Sequence, residues 1–178
     1  LWLVENSMKE FNTKKIIIGG ESAGANLSAV TLQRLKGKDM LEPFKGANLI
    51  YGSYDARLTP STIQKKGSDE VFLLSFEMIK KFRNSYFQGK IDLSLPDVSP
   101  IQGDLKGMPP ALFTVGTRDL LLDDTLFMYN RWLSYGSKAN ILIVTGADHA
   151  FNAFPSPTTK SVEDEICLLY TSPSPRDN

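Results

Sequence analysis

The sequence has one histidine and one cysteine in 178 residues, and its 20 lysines and arginines match its 20 aspartates and glutamates. A chain with no net charge has no field to draw it to nucleic acid or to an anionic membrane. No Lys/Arg cluster of the kind nucleic-acid binders carry is present, and no apolar run approaches the ~18 residues needed to span a bilayer. Internal repeats are absent as well. The apolar fraction of 42% and charged fraction of 22% are ordinary for a soluble globular protein. The length suits one domain with a sizeable core and is short for two. These absences leave a soluble domain that acts on a small molecule.

The ends lack the usual signals. The chain opens "LWLVENSMKEF" with neither an initiating methionine nor a signal peptide, and Leu1, Val4, Met8 and Phe11 recur at helical spacing. This reads as a helix entered part-way, so the cytoplasm is no more than a default compartment. At the other end, "CLLYTSPSPRD" (Cys167 to Asp177) resembles the in-frame translation of a transposase adaptor used in sequencing libraries. On that reading native sequence stops near Ile166, residues 167–178 are a non-native tail, and Cys167 says nothing about disulfides, metals or compartment.

Four segments read as strands: Lys14 to Gly20, Ala47 to Ser53, Pro109 to Gly116 and Ala139 to Gly146. The β-branched run "KKIIIGG" suggests a strand buried on both faces. Helical patterns lie between them. Ala25 to Leu35 follows Gly24. Leu122, Leu126, Tyr129 and Leu133 form a stripe, with Asp123 and Asp124 in the first turn and Gly136 at the end. Phe76 to Phe87 is predicted to be a helix capped by Ser75. Alternation of strands and helices implies a parallel sheet covered by helices. Residues 55–99 exceed a simple crossover, and Phe72, Phe76, Phe82, Tyr86 and Phe87 serve either core packing or a pocket wall.

The densest signal is "KKIIIGGESAGANLSAV", Lys14 to Val30. A P-loop counted from Gly19 needs Lys and Ser/Thr where the chain has Ala25 and Asn26, and a dinucleotide fingerprint needs glycine where it has Glu21. G-x-S-x-G fits: Gly20, Glu21, Ser22, Ala23, Gly24. Such a match arises by chance in roughly 6 chains of this length in 100, and its place between a strand and a helix lowers that further. In a nucleophile elbow the serine stands on a strained turn, and side chains two residues either side would strike neighbouring backbone. The helix that follows offers the Ala23 N–H as a donor to an oxyanion. The base can only be His149, in "TGADHAF" beyond the last strand, where open α/β sheets bind ligands. The acid belongs between them. Asp119 comes first after a strand and is favoured, with Asp123 in reserve. Asp124 has a structural place in the helix, and Asp148 would diverge from its neighbour His149.

With these residues in hand the chain resembles the hormone-sensitive-lipase-like, or fold-3, esterases of the α/β-hydrolase class. The carriers are "GGESAGANLS", "LPDVSPIQGDLKGMPPALFTVGTRDLLLDD" and "RWLSYGSKANILIVTGADHAF". The resemblance implies residues 1–166 are the C-terminal part of an α/β-hydrolase domain, with early strands and an HGGG oxyanion loop before Leu1. It also implies that the chain alone is neither stable nor active, and that function belongs to the full-length parent. It aligns Ser22, Asp119 and His149 with the family's triad and implies hydrolysis of a small carboxylic ester through an acyl-enzyme, with no metal or cofactor. Amide or thioester hydrolysis, acyl transfer, and ligand binding without turnover are the alternatives on the same fold. Two departures stand out: Leu120 where the family has proline, and Ala150 where it has glycine. Cholinesterase-like enzymes share "GESAGA", but their acid is commonly glutamate.

Overall fold

A computed structural model describes residues 1–67, 73–88 and 91–171, with side chains through residue 168. Phe72 and residues 172–178 of the C-terminal tail therefore lie outside the described residues. Helix α1 (Trp2–Phe11) leads into strand β1 (Ile16–Glu21), helix α2 (Ala23–Lys36) and strand β2 (Phe44–Ile50). Short α3 (Pro60–Gln64) and α4 (Phe76–Phe87) follow, then β3 (Ala111–Gly116), α5 (Leu122–Ser134), β4 (Ala139–Val144) and α6 (Pro157–Thr171). The four strands form one parallel sheet in the order β1-β2-β3-β4. The expected fold class, a parallel sheet flanked by helices, is what the chain adopts.

Burial follows from that order. Every residue of β3 and all but one of β2 are buried, because each lies between two strands and under helices. β1, expected to be buried on both faces, is partly exposed among the described residues. Only Ile16 is fully buried, Ile17 and Ile18 are half-buried, and Gly19 is exposed, since β1 pairs with β2 alone among the described residues. β4 is likewise at an edge, with Ile143 half exposed.

The main core lies between the sheet and helices α2 and α5, with Ala29, Leu32, Leu49, Phe113, Met128 and Trp132 at its centre. The Phe113 ring meets Tyr54, Tyr129 and Trp132 edge-on at 5.6–6.3 Å between centroids. The Trp132 indole N–H donates to the Pro109 carbonyl at 2.9 Å, so its burial leaves no donor orphaned. A smaller cluster of Ile50, Tyr51 and Val115 sits at the carboxyl ends of β2 and β3, against Leu122, Phe151 and Ile166.

Helix α4 has the predicted bounds, and the Ser75 hydroxyl accepts from the Met78 N–H. Its aromatics divide: Phe76 is buried, whereas Phe82 and Tyr86 are exposed. Two helices escaped the sequence reading. The five residues of α3 are too few to show a period, and α6 continues unbroken past Ile166, the expected end of native sequence.

Candidate active site

The site is built at the carboxyl ends of β1, β3 and β4. Between β1 and α2 the chain turns through Ser22, whose backbone lies at φ +53°, ψ −117°. That is left-handed territory for a non-glycine residue, a strained position that puts the side chain above the sheet. Gly20 makes the turn possible. A β-carbon there would lie 2.5 Å from the Gly24 carbonyl carbon and 2.6 Å from its oxygen, and both atoms are backbone that cannot step aside. Among the described residues Gly24 corrects the expectation that both flanking glycines are needed for space. A β-carbon on Gly24 meets none of their atoms within 4 Å, because the first turn of α2 directs it away from the strand. The Ser22 N–H donates to the Ile50 carbonyl at 2.9 Å, tying the turn to β2. Ala23 is the first residue of α2, so its N–H has no carbonyl within the helix to bond.

His149 lies in the loop after β4 and is 8% exposed. Its Nε2 is 3.0 Å from Ser22 Oγ, and its Nδ1 is 2.8 Å from Asp119 Oδ2. Asp119 is buried, and its second oxygen accepts the Leu121 N–H at 2.8 Å. With that oxygen occupied, an ionised Asp119 takes the imidazole Nδ1–H, which leaves the Nε2 lone pair facing the serine. Thus Ser22, His149 and Asp119, separated by up to 127 residues in sequence, form one hydrogen-bonded chain.

The other carboxylates are occupied elsewhere. Asp123, the reserve acid, accepts the Ser61 N–H at 2.7 Å, while the Ser61 hydroxyl accepts the Asp123 N–H at 3.1 Å. Asp148 pairs with Arg118 at 3.2 Å. Asp124 is buried and accepts from the N–H groups of Tyr54 and Asp55 at 2.7 and 2.9 Å and from the Thr59 hydroxyl at 2.6 Å. Burial pushes its carboxyl up to about 6, against the pull of those three donors.

Several residues that shape the site carried no sequence signal. Gly116 lets the Ala147 carbonyl pass so close to β3 that a β-carbon there would lie 2.1 Å from it. The Arg118 N–H donates to that carbonyl at 3.0 Å. Tyr51, at the end of β2, sets its ring against the His149 imidazole at 4.7 Å. Asn152 and Glu21 bond to its hydroxyl. These residues come from four separate segments and share no spacing that a sequence shows. A cavity of about 320 Å³ adjoins the loop, lined by Leu73, His149, Phe151 and Phe154 among others. Among the described residues no cluster of three or more His, Cys, Asp or Glu could hold a metal ion, and no helix is long and apolar enough to cross a membrane.

A parallel sheet with a serine elbow after one strand, an acid after another and a histidine after the last defines the α/β-hydrolase class. The chain belongs to it: the family described as alpha/beta hydrolase fold matches residues 1–153. An esterase of Acinetobacter venetianus is 32% identical over 161 residues, covering 89% of this chain and 52% of that protein. Among solved structures, a hyperthermophilic esterase of the archaeon Pyrobaculum calidifontis superposes with a TM-score of 0.86 at 27% identity. It covers 94% of this chain and 56% of the other. A hormone-sensitive lipase from a metagenome library superposes at 0.80 with 25% identity, over 92% of this chain and 55% of its own. The resemblance to the hormone-sensitive-lipase-like group therefore holds in sequence and in structure. The chain spans about half the length of these relatives.

Proposed function

We propose that the protein at its full encoded length is a serine esterase that cleaves carboxylic esters of small molecules through Ser22, His149 and Asp119. The observation that carries this reading is the unbroken contact from Ser22 Oγ through the imidazole to a buried carboxylate. Ser22 attacks the ester carbonyl carbon as its proton passes to His149 Nε2. Asp119 keeps the imidazole in the required tautomer and stabilises it when charged. The oxyanion that forms takes the Ala23 N–H, and the positive end of α2 lies behind that donor. His149 then gives its proton to the leaving alcohol. The acyl-serine is cleaved by a water that the same imidazole deprotonates, restoring the free hydroxyl. No step calls for a metal or cofactor.

A fluorophosphonate probe on the protein at full encoded length tests this. Wild type is expected to be labelled at Ser22, and Ser22→Ala to lose both label and ester hydrolysis. An unlabelled wild type, or label that survives in Ser22→Ala, overturns the reading. Asp119→Asn is expected to lower kcat on the order of 10⁴-fold, because the amide N–H favours the wrong imidazole tautomer.

A further inference from the structure

Next to the Ser22–His149–Asp119 chain lies a second, closed set of hydrogen bonds. Glu21, the residue before Ser22, ends β1. Tyr51 follows β2, and Asn152 follows His149 by three residues in a short 3-10 turn, Phe151–Ala153. The Tyr51 hydroxyl is 2.9 Å from Glu21 Oε2 and 2.5 Å from Asn152 Oδ1. The Asn152 amide N–H donates to Glu21 Oε1 at 2.7 Å. Each residue touches both others, so three chain segments are locked into one ring. Tyr51 is fully buried, with the His149 imidazole edge-on to its ring on one side and Phe151 at 6.1 Å on another. Burial and the Glu21 carboxylate both push the Tyr51 phenol up, so it stays a protonated donor through the neutral range.

We infer that Glu21, Tyr51 and Asn152 are positioning residues, which hold the histidine loop against the serine turn so that the imidazole stays within reach of Ser22. The inference rests on the esterase reading for its kinetic consequence, though not for its geometry. It goes beyond the reacting residues because the side-chain hydrogen bonds of the three run to one another and not to Ser22, His149 or Asp119. Their effect passes through the Tyr51 ring to the imidazole, and through Asn152 to the backbone that carries His149. His149 has two bonds of its own, to Ser22 and Asp119, and these fix its ring nitrogens. They leave open a swing of the loop as a whole, which the ring opposes.

Proton counting separates geometry from charge. Tyr51 has one hydroxyl proton and two acceptors in reach, so an ionised Glu21 leaves the ring one donor short. Glutamine at this position supplies the missing N–H. The amide donates to the Tyr51 oxygen, Tyr51 donates to Asn152 Oδ1, and Asn152 donates to the glutamine oxygen. Glu21→Gln therefore keeps the ring while removing its charge, whereas Glu21→Ala removes both.

The test uses the protein at its full encoded length, steady-state hydrolysis of p-nitrophenyl acetate, and the crystal structure of each variant. Tyr51→Phe, Asn152→Ala and Glu21→Ala are expected to lower kcat about 10-fold with KM changed less than about twofold, since misplacement of a reacting group acts on the chemical step. Glu21→Gln is expected to stay within about twofold of wild type in both. Asn152 lies half-buried on a surface loop, so its variant serves if Tyr51→Phe does not fold. Wild-type kcat in Tyr51→Phe or Asn152→Ala overturns the inference, as does a loss in Glu21→Gln equal to that in Glu21→Ala. Should the wild type itself be inert, the esterase reading fails and the crystal structures decide alone. His149 displaced from Ser22 in the ring-breaking variants supports the positioning role, and His149 unmoved overturns it.

Discussion

The turn that carries Ser22 and the loop that carries His149 lie side by side at the strand ends, yet they are specified differently. Ser22 is set by its immediate neighbours: a strand, a glycine two residues back with no room for a side chain, and a helix that begins at the next residue. His149 depends on partners from across the chain. Asp119 and Arg118 come from the β3–α5 turn, Tyr51 from the end of β2, and Glu21 from β1. Local specification is rigid but intolerant of change at one position. Distributed specification spreads the same precision over many weak contacts, so its single substitutions should cost less.

The sharpest way to break the comparison is at Gly20. In Gly20→Ala the new methyl would meet Gly24 backbone at 2.5 Å. The turn must open or the strand must slip, at a cost of about 3 kcal/mol or more. Activity is expected to fall on the order of 10²-fold or beyond, since the hydroxyl moves with the turn. Gly24→Ala is the control, because none of the described residues stands within 4 Å of its methyl and helix propensity favours alanine by ~1 kcal/mol. Urea unfolding of the two variants checks this. Equal stabilities would remove the claim that the turn is set by that one close approach.

Distributed specification extends to the β2 rim, where buried Asp124 gathers the backbone of Tyr54 and Asp55 and the Thr59 hydroxyl. Its carboxyl, ordinarily near 3.8 and here about 6, binds a proton more tightly folded than unfolded. Its contribution to stability is therefore greatest below about 4. It declines as pH rises through the window from about 4 to about 6, by roughly 2–3 kcal/mol in total. Asp124→Asn cannot titrate, so the stability difference between wild type and variant should shrink by that amount from pH 4 to pH 7. Paired urea titrations across that range measure it, and a constant difference would sink the assignment.

Arg118 and Asp148, the residues before Asp119 and His149, form an ion pair at 3.2 Å. Arg118 is about half exposed, so the pair is screened, and Arg118→Ala should cost no more than about 1 kcal/mol, less in high salt. The kcat of that variant should stay within about threefold of wild type, because the Asp119–His149 bond and the backbone bond from Arg118 to Ala147 both remain. A tenfold loss would mean that the loop hangs on one contact after all, as the serine turn does.

The same division explains what could be read from the sequence. Gly20-Glu21-Ser22-Ala23-Gly24 is contiguous, so the elbow is visible in a string of letters, and the strands and long helices show through their periodicity. Asp119 and His149 could be singled out because each follows a strand and because the chain has one histidine. Tyr51, Asn152 and Gly116 left no trace, because each acts on a residue far away in sequence and sits in no repeating pattern. Gly24 departs from the expectation because the motif has two glycines, while among the described residues the collision involves the β-carbon of only one.

Ala150 offers the finest test of the comparison. Like Ser22 it is a non-glycine residue with positive φ, at +57°, and it follows the histidine directly. On the proposed esterase reading the strain at Ser22 cannot be removed by substitution, because its hydroxyl would be the reacting group. Ala150 has no such duty, and glycine at its position relieves ~1–2 kcal/mol of left-handed strain. Glycine also loses more freedom on folding, by roughly 0.5–1 kcal/mol, so the net gain in Ala150→Gly should be at most about 1 kcal/mol. The kinetics matter more than the stability. If distant side chains hold His149, a freer backbone beside it leaves kcat unchanged. If the alanine backbone does the holding, Ala150→Gly gains stability and loses turnover, and the loop is then specified as locally as the serine turn.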